Sequence, residues 1–214
     1  MKKVKKLFFY NIIFFFLCFT CIVFSFFKTA ETASILDIKE NDFVIGDNNA
    51  PITIIEYASL SCIHCANFHH DTLPKLMEEY IKNGKIKIIF RDYPLNYPAL
   101  IGSMALQCVD RDIRYDYLNA LFLLQPKWVS SDLEIVKKEI FKIMQTGGMT
   151  KERFNKCLED KDLEKNILQG IMDVQKEFDI TTTPSFLING NILKGNKSFN
   201  NFKKIINELL TKSE

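Results

Sequence analysis

Two cysteines separated by two residues stand where the chain is predicted to pass from a strand into a helix. Residues 52–58 (ITIIEYA) are mostly apolar and β-branched, which predicts a buried strand. The motif Cys-Ile-His-Cys, residues 62–65, follows a short turn, and apolar residues then recur at helical spacing between residues 73 and 81. A second β-rich run at residues 85–91 (KIKIIFR) completes a strand–helix–strand unit with an expected right-handed crossover. The order of these elements predicts an α/β fold.

The sulfur of Cys62 is placed at the N-terminus of that predicted helix. Unpaired backbone N–H groups and the positive end of the helix dipole stabilise a thiolate there. The dipole contributes about 0.3–1 kcal/mol, whereas each unit of pKa depression requires about 1.4 kcal/mol. His64 and direct hydrogen bonds therefore have to supply the rest of a large depression of the Cys62 pKa. Because a stabilised thiolate favours the dithiol over the disulfide, the Cys62–Cys65 pair is predicted to oxidise other thiols.

Three other chemistries use closely spaced cysteines. Haem attachment requires a histidine directly after the second cysteine, and this position holds Ala66. Zinc binding stays open, although no second pair of ligands lies nearby in the sequence. A purely structural disulfide also stays open, although so small a ring would add little to the stability of the fold. Redox exchange is therefore favoured, with no metal and no cofactor. His69 and His70 are expected to be solvated helix residues.

The first thirty residues have a charge and hydropathy pattern typical of export. Four lysines lie within residues 1–6, and an almost unbroken apolar run follows at residues 7–27. No clean small-x-small cleavage site follows, so residues 1–30 are predicted to be either a cleaved signal peptide or a retained N-terminal anchor, with the rest of the chain exported. Five of the 28 basic residues and none of the 26 acidic residues lie in this segment. The rest of the chain is therefore slightly acidic, which disfavours nucleic-acid binding.

Several motifs together resemble the DsbA branch of the thioredoxin-like thiol:disulfide oxidoreductases. They are the strand IIEYASLS, the motif CIHC continued by ANFH, the strand IIFRDYPL and the later TTTPSF. The resemblance extends from about residue 42 to the C-terminus, and it implies a thioredoxin-like fold with an inserted helical domain. Ser61 precedes the first cysteine where thioredoxins have Trp, and Ile63 stands where the better-known DsbA motif has Pro. The second difference is expected to affect the redox potential and to leave the chemistry intact.

The resemblance also implies roles for three further residues. Glu56 stands six residues before Cys62, where the family has a buried acid that helps to move the proton of the second cysteine, here Cys65. An exposed acid near the strand end is the alternative for Glu56. Pro184 after Thr183 matches the family's cis-proline, which lies beside the cysteines and presents backbone groups to an extended substrate. An ordinary trans proline that opens a strand is the alternative for Pro184.

The predicted domain organisation interrupts a thioredoxin-like domain with helices. Residues 42–97 and 179–214 are assigned to that domain, and the second part contains a hairpin and a terminal amphipathic helix. Residues 98–178 show five helical patterns and no convincing strand, which resembles the helical domain that the family inserts. Residues 31–41 are expected to be a short solvated lead.

Cys108 and Cys157 lie on the inward stripes of two helices in this predicted insertion. Two buried free thiols, packing as small apolar groups, are one interpretation. In an exported chain a structural disulfide is favoured. It would close a loop of about fifty residues and stabilise the fold by about 4 kcal/mol in the chain-entropy model.

The sequence as a whole predicts an exported thiol:disulfide oxidoreductase that donates the Cys62–Cys65 disulfide to newly exported proteins. The expected partners are unfolded or reduced exported proteins and, by resemblance, a DsbB-type membrane quinone reductase that reoxidises the pair. The expected location is the periplasm. The lead before residue 42 is too short for the dimerisation domain of the disulfide isomerases, so a monomer is expected. A reductase or isomerase of the same fold, or a module that binds metal or thiols without exchange, is the alternative.

Overall fold

A five-stranded mixed sheet forms the centre of the structure, a computed structural model that describes residues 35–39 and 42–212. The strand order is β1-β3-β2-β4-β5, with β2 parallel to β3 and every other neighbouring pair antiparallel. The predicted export signal, residues 1–30, lies outside the described residues. In the part of the chain that is described, no helix is long and apolar enough to cross a membrane. The strands are β1 (Phe43–Ile45), β2 (Ile52–Ala58), β3 (Ile86–Asp92), β4 (Ser185–Ile188) and β5 (Asn191–Lys194).

The helix that follows β2 is wound partly as an α-helix and partly as a wider π-helix. It begins as α1 (Ile63–Asn67), continues as a π-helical segment (Phe68–Thr72), returns to α2 (Leu73–Leu76) and ends as a second π-helical segment (Met77–Ile81). Six helices lie between β3 and β4, with a short 3₁₀ turn (Arg111–Ile113), and one follows β5. They are α3 (Tyr97–Gln107), α4 (Arg114–Leu123), α5 (Gln125–Trp128), α6 (Leu133–Gln145), α7 (Lys151–Glu159), α8 (Lys161–Phe178) and α9 (Phe199–Lys212).

The two faces of the sheet are covered by different helices, because successive residues of a strand point to opposite faces. Ile54 of β2 faces the larger core, which it shares with α1, with Phe202 of α9 and with the helices between β3 and β4. Ile55, one residue later, faces a smaller core that contains Val174 of α8. Both faces of β2 are therefore buried, which explains why its sequence is apolar almost throughout instead of alternating.

Most of the predicted elements are confirmed, and the short ones are where the prediction fails. The strand at residues 52–58 is correct, and the hairpin between β4 and β5 turns at Asn189 and Gly190, which have φ angles of 45° and 85°. Strand β1 was not predicted, because three residues give no usable periodicity. Helix α5 was not predicted either, because it has only four residues and contains Pro126, although Pro is tolerated in the first turn of a helix.

The segment before β1 is partly anchored, which corrects the expectation that it is simply a solvated lead. Residues 36–39 are exposed as expected. Ile35 is buried in the smaller core, and Arg91 of β3 donates hydrogen bonds to the carbonyl oxygens of Ile35 and Asp37. The same guanidinium group forms an almost fully buried ion pair with Asp42. A buried charge is stable only with such partners, so Arg91 holds this segment against the sheet.

Candidate active site

The two cysteines of the C-x-x-C motif lie at the start of α1, directly after the loop that leaves β2. Cys62 is the N-cap residue of α1, and its carbonyl oxygen accepts hydrogen bonds from the backbone N–H groups of Cys65 and Ala66, both at 3.1 Å. Cys62 is half-buried and Cys65 is fully buried, and both are present as free thiols. One sulfur is therefore accessible to another molecule, while the second is enclosed by protein.

The pKa of Cys62 is lowered from the ordinary value of a thiol to about 5. The largest cause is a hydrogen bond with the Cys65 thiol, which stabilises the Cys62 thiolate; burial opposes it, and Thr183 and the backbone N–H groups of Cys65 and His64 lower the pKa further. His64 itself is exposed. At neutral pH Cys62 is therefore a thiolate, the form that attacks disulfides and also the form that leaves readily.

The pKa of Cys65 moves in the opposite direction. It is raised far above that of an ordinary thiol, first by burial, then by its hydrogen bond with Cys62, and then by the negative charge of Glu56. Cys65 therefore stays protonated at neutral pH and needs a proton acceptor before it can attack another sulfur. The two cysteines of one motif are thus prepared for two different steps.

The loop before β4 places backbone groups next to Cys62. The peptide bond between Thr183 and Pro184 is cis, and the Cys62 sulfur lies 3.4 Å from the carbonyl oxygen of Thr183. Strand β4, which begins at Ser185, pairs antiparallel with β2 and brings this loop from the far end of the chain to the cysteines. Together the two segments place a reactive sulfur beside main-chain groups.

Glu56 and His69 form a buried pair beneath the cysteines. Oε2 of Glu56 lies 3.0 Å from Nε2 of His69, and only 1% of either side chain is exposed. The imidazole ring packs against Phe122 of α4, with 4.2 Å between the ring centroids. The prediction that His69 is a solvated helix residue is therefore wrong, whereas His70 is exposed.

A usable signal for His69 existed in the sequence. His69 follows Cys65 by four residues, so the two share one face of a helix, and Cys65 is buried. Phe68 and His69 stand three and four residues after Cys65, and both are buried within the π-helical segment that begins at Phe68. Such a segment has no sequence pattern as clear as the helical period.

A disulfide joins Cys108, at the C-terminal end of α3, to Cys157 of α7. The two Cα atoms are 6.3 Å apart and the cysteines are 49 residues apart in sequence. Arg114 donates hydrogen bonds to the carbonyl oxygens of Gln107 and Val109, so the end of α3 is held by a side chain as well as by the covalent bond. This disulfide belongs to the helical part of the structure, away from the motif at residues 62–65.

No metal centre is formed by the residues that the structure describes. Within 35–39 and 42–212 no three His, Cys, Asp or Glu side chains are grouped so that they could hold a metal ion. Of the three histidines near the motif, two are exposed and the third is engaged with Glu56. The chemistry available at this site is therefore that of the two sulfurs and the buried acid–base pair.

The sheet, the C-x-x-C motif at a helix N-terminus and the cis-proline beside it define a thiol:disulfide oxidoreductase of thioredoxin-like fold, with a helical domain inserted between β3 and β4. A thioredoxin family model matches residues 39–208, and the chain belongs to that family. Within it, this chain is DsbA-like. The predicted fold class and the predicted enzyme class are both confirmed.

Solved structures of bacterial disulfide oxidoreductases are similar to this chain. The crystal structure of Wolbachia pipientis alpha-DsbA1 is 31% identical, with a TM-score of 0.78, over 83% of this chain and 95% of that chain. The crystal structure of oxidised BdbD from Bacillus subtilis is 22% identical, with a TM-score of 0.68, over 80% of this chain and 94% of that chain. The second comparison shows the shared fold.

Curated relatives agree with the structural neighbours. A putative protein-disulfide oxidoreductase of Rickettsia bellii is 29% identical over 83% of this chain and 68% of the relative. A probable disulfide bond formation protein D of Bacillus cereus is 28% identical over 78% of each chain. This chain therefore spans about two thirds of the length of the rickettsial relative.

Proposed function

We propose that this protein donates the Cys62–Cys65 disulfide to reduced proteins outside the cytoplasm. The observation that carries the proposal is the opposite shift of two neighbouring thiols, a Cys62 pKa of about 5 and a Cys65 pKa raised by burial. A stabilised Cys62 thiolate favours the reduced form of the pair, and a pair that favours its reduced form gives its disulfide to others.

The proposed cycle begins with the oxidised pair. A substrate thiolate attacks the Cys62 sulfur, the Cys62–Cys65 bond breaks, and Cys65 leaves and takes up a proton. A second substrate thiolate then attacks the substrate sulfur of the mixed disulfide, the bond to Cys62 breaks, and Cys62 leaves as a thiolate. The substrate is oxidised by two electrons and the Cys62–Cys65 pair is reduced by two.

Neighbouring residues have supporting roles in this proposal. Glu56 is the buried acid that exchanges a proton with Cys65, because it lies on the same covered face of β2 and its charge acts on that thiol. Thr183 and Pro184 present backbone groups to an extended substrate segment beside Cys62. His64 contributes through its backbone N–H group. The Cys108–Cys157 disulfide has a structural role.

The cellular setting is also part of the proposal. Residues 1–30 export the chain to the periplasm as a signal peptide or keep it there as an anchor, and a DsbB-type membrane quinone reductase reoxidises the pair. The protein acts as a monomer. Residues 42–97 and 179–214 form the thioredoxin-like domain and residues 98–178 the helical insertion. The charge and hydropathy pattern of residues 1–30 supports the export, whereas the relatives' names support disulfide bond formation alone.

Oxidative refolding of a reduced, unfolded test protein measures the proposed activity. Stoichiometric oxidised protein should restore its native disulfides, Cys62→Ser should abolish this, and the double variant Cys108→Ala/Cys157→Ala should retain it. Undiminished activity of Cys62→Ser contradicts the proposal. Equilibration with glutathione separates oxidase from reductase, since an oxidase pair is reduced even where oxidised glutathione predominates.

A further inference from the structure

The buried pair of Glu56 and His69 contains two polar atoms without a hydrogen-bond partner among the described residues. They are Oε1 of Glu56 and Nδ1 of His69, while Oε2 and Nε2 face each other at 3.0 Å. Buried polar atoms are usually satisfied, and an exception in a native core points to a strained or functional group. Here the exceptions lie on the same covered face as the buried thiol Cys65.

The unpartnered Nδ1 decides which nitrogen of His69 carries a proton. A proton on Nδ1 alone would bury an N–H donor with no acceptor, whereas a proton on Nε2 is used in the hydrogen bond to Oε2. With Nε2 as donor, Glu56 is held as a carboxylate whose second oxygen, Oε1, is free. The alternative, in which a protonated Glu56 donates to Nε2, requires the unpartnered proton on Nδ1.

The surroundings leave this hydrogen bond as the principal local support for the charge on Glu56. In the sheet register Glu56 lies opposite Phe90 of β3 and Phe186 of β4, and the ring of Phe122 from α4 covers His69. The facing groups on those elements are therefore apolar. The titratable groups on the helix that carries His69 are Cys62 at its N-cap, the buried Cys65 and Tyr80, and side chains that are all exposed: His64, His70, Asp71, Lys75, Glu78 and Glu79.

We propose that His69 is a positioning residue for the redox reaction: its Nε2–H group holds Glu56 as a carboxylate, with Oε1 available to accept the proton of Cys65. This inference rests on the role proposed for Glu56 and adds its partner. When a mixed disulfide at Cys62 is resolved, the Cys65 proton passes to Oε1, the Cys65 sulfur attacks the Cys62 sulfur, and the attached thiol leaves as a thiolate. Glu56 ends protonated and the Cys62–Cys65 disulfide is formed.

The proposal predicts an asymmetry between the two directions of exchange. Without the donor of His69, the carboxyl group of Glu56 loses its hydrogen-bond partner, and Oε1 is no longer held ready to accept the proton of Cys65. Resolution of a mixed disulfide by Cys65 then slows, because its proton acceptor is no longer in position. Opening of the Cys62–Cys65 disulfide by an external thiolate does not slow, because that step needs a proton donor at the same place.

Two substitutions separate hydrogen bonding from packing. His69→Phe keeps an aromatic ring against Phe122 and removes the donor. His69→Gln removes the ring and places an amide N–H group close to the position of Nε2. A merely structural role for His69 would be preserved best by Phe, whereas the proposed role is preserved best by Gln.

The experiment mixes reduced full-length protein with glutathione disulfide and follows, by acid quenching and mass spectrometry, the mixed disulfide at Cys62 and its conversion to the Cys62–Cys65 disulfide. Cys65→Ala isolates the first step. At pH 7 the conversion should be roughly tenfold to a hundredfold slower in His69→Phe, with an altered pH profile, and close to the native rate in His69→Gln. Opening of the oxidised protein by reduced glutathione should not slow in either variant.

An unchanged pH profile in His69→Phe, or equal slowing in His69→Gln, overturns the inference. The proposed function fails separately, if the oxidised native protein does not restore the disulfides of a reduced test protein. If His69→Phe does not fold, ¹⁵N NMR of the native protein provides the test. A proton on Nε2 of His69 at neutral pH is expected, and an unprotonated Nε2 beside a protonated Nδ1 overturns the inference.

Discussion

The sulfur of Cys62 lies 3.4 Å from the carbonyl oxygen of Thr183, although 121 residues separate the two in sequence. The contact depends on β4, which begins directly after the cis-proline and pairs with β2, the strand that leads to the cysteines. The helices between β3 and β4 therefore interrupt the chain without separating the two halves of the site. The substrate contacts proposed for Thr183 and Pro184 would suit many substrates, because every extended chain offers the same backbone groups.

The low pKa of Cys62 is expected to depend on Cys65 more than on any other single group. A hydrogen bond with the Cys65 thiol is the largest cause of the pKa of about 5. Cys65→Ala should therefore raise the Cys62 pKa by one unit or more, which is about the effect of losing one hydrogen bond to a charged group. Thiolate absorbance at 240 nm, measured between pH 3 and pH 9, gives the value. Cys62→Ala is the control that should abolish the transition, and equal pKa values in the native protein and Cys65→Ala would contradict this assignment.

The stability of the reduced protein is expected to rise with pH between about 5 and 8. The folded pKa of Cys62, about 5, lies below the value of an unfolded thiol. The stabilisation is therefore complete above the unfolded value and is lost as the pH falls through 5. Cys65, whose pKa is raised by burial, stays protonated in the folded state across this window and adds no slope.

Urea unfolding of reduced and oxidised protein at several pH values measures this effect. The unfolding free energy of the reduced form should increase with pH relative to that of the oxidised form. The upper limit is about 1.4 kcal/mol per pH unit, and the increase should stay below it because Cys62 is only half-buried. Reduced Cys62→Ala should show no such slope. A difference that is constant from pH 5 to pH 8 would show that the Cys62 thiolate is not stabilised by folding.

The sequence predicts the framework of this site well because its signals are local. A run of β-branched residues gives β2, and a turn of Asn189 and Gly190 gives the β4–β5 hairpin, since each pattern follows from the conformations that its own residues allow. The anchoring of Ile35 by Arg91 is not visible in this way, because it joins residues 56 positions apart whose spacing carries no period. His69 lies between these cases: its distance from Cys65 places it on the buried face, but its contact with Glu56 joins residues 13 positions apart on a strand and a helix, and no period connects them.

Arg91 is expected to be among the most sensitive positions outside the active site. Its ion pair with Asp42 is more than nine-tenths buried on both sides, and it also donates to the hydroxyl oxygen of Tyr57. Arg91→Leu leaves the Asp42 carboxylate buried without its partner, and such losses typically cost about 3–5 kcal/mol. Chemical denaturation measures the change. Arg91→Leu/Asp42→Leu should recover part of it, and a double variant no more stable than Arg91→Leu would argue against an unpaired charge as the cause.

The Cys108–Cys157 disulfide is expected to stabilise the protein without taking part in exchange. It closes a loop of 49 residues, for which the chain-entropy model gives about 4 kcal/mol. Cys108→Ala/Cys157→Ala should therefore unfold at a clearly lower denaturant concentration. The loss of unfolding free energy should be smaller than this value if Arg114 continues to hold the end of α3 through Val109. The Cys62 pKa, read from thiolate absorbance, should remain near 5, because the causes of its shift lie in residues 62–65 and Thr183. A change in that pKa of one unit or more would mean that the disulfide acts on the active site, and its role would then extend beyond stability.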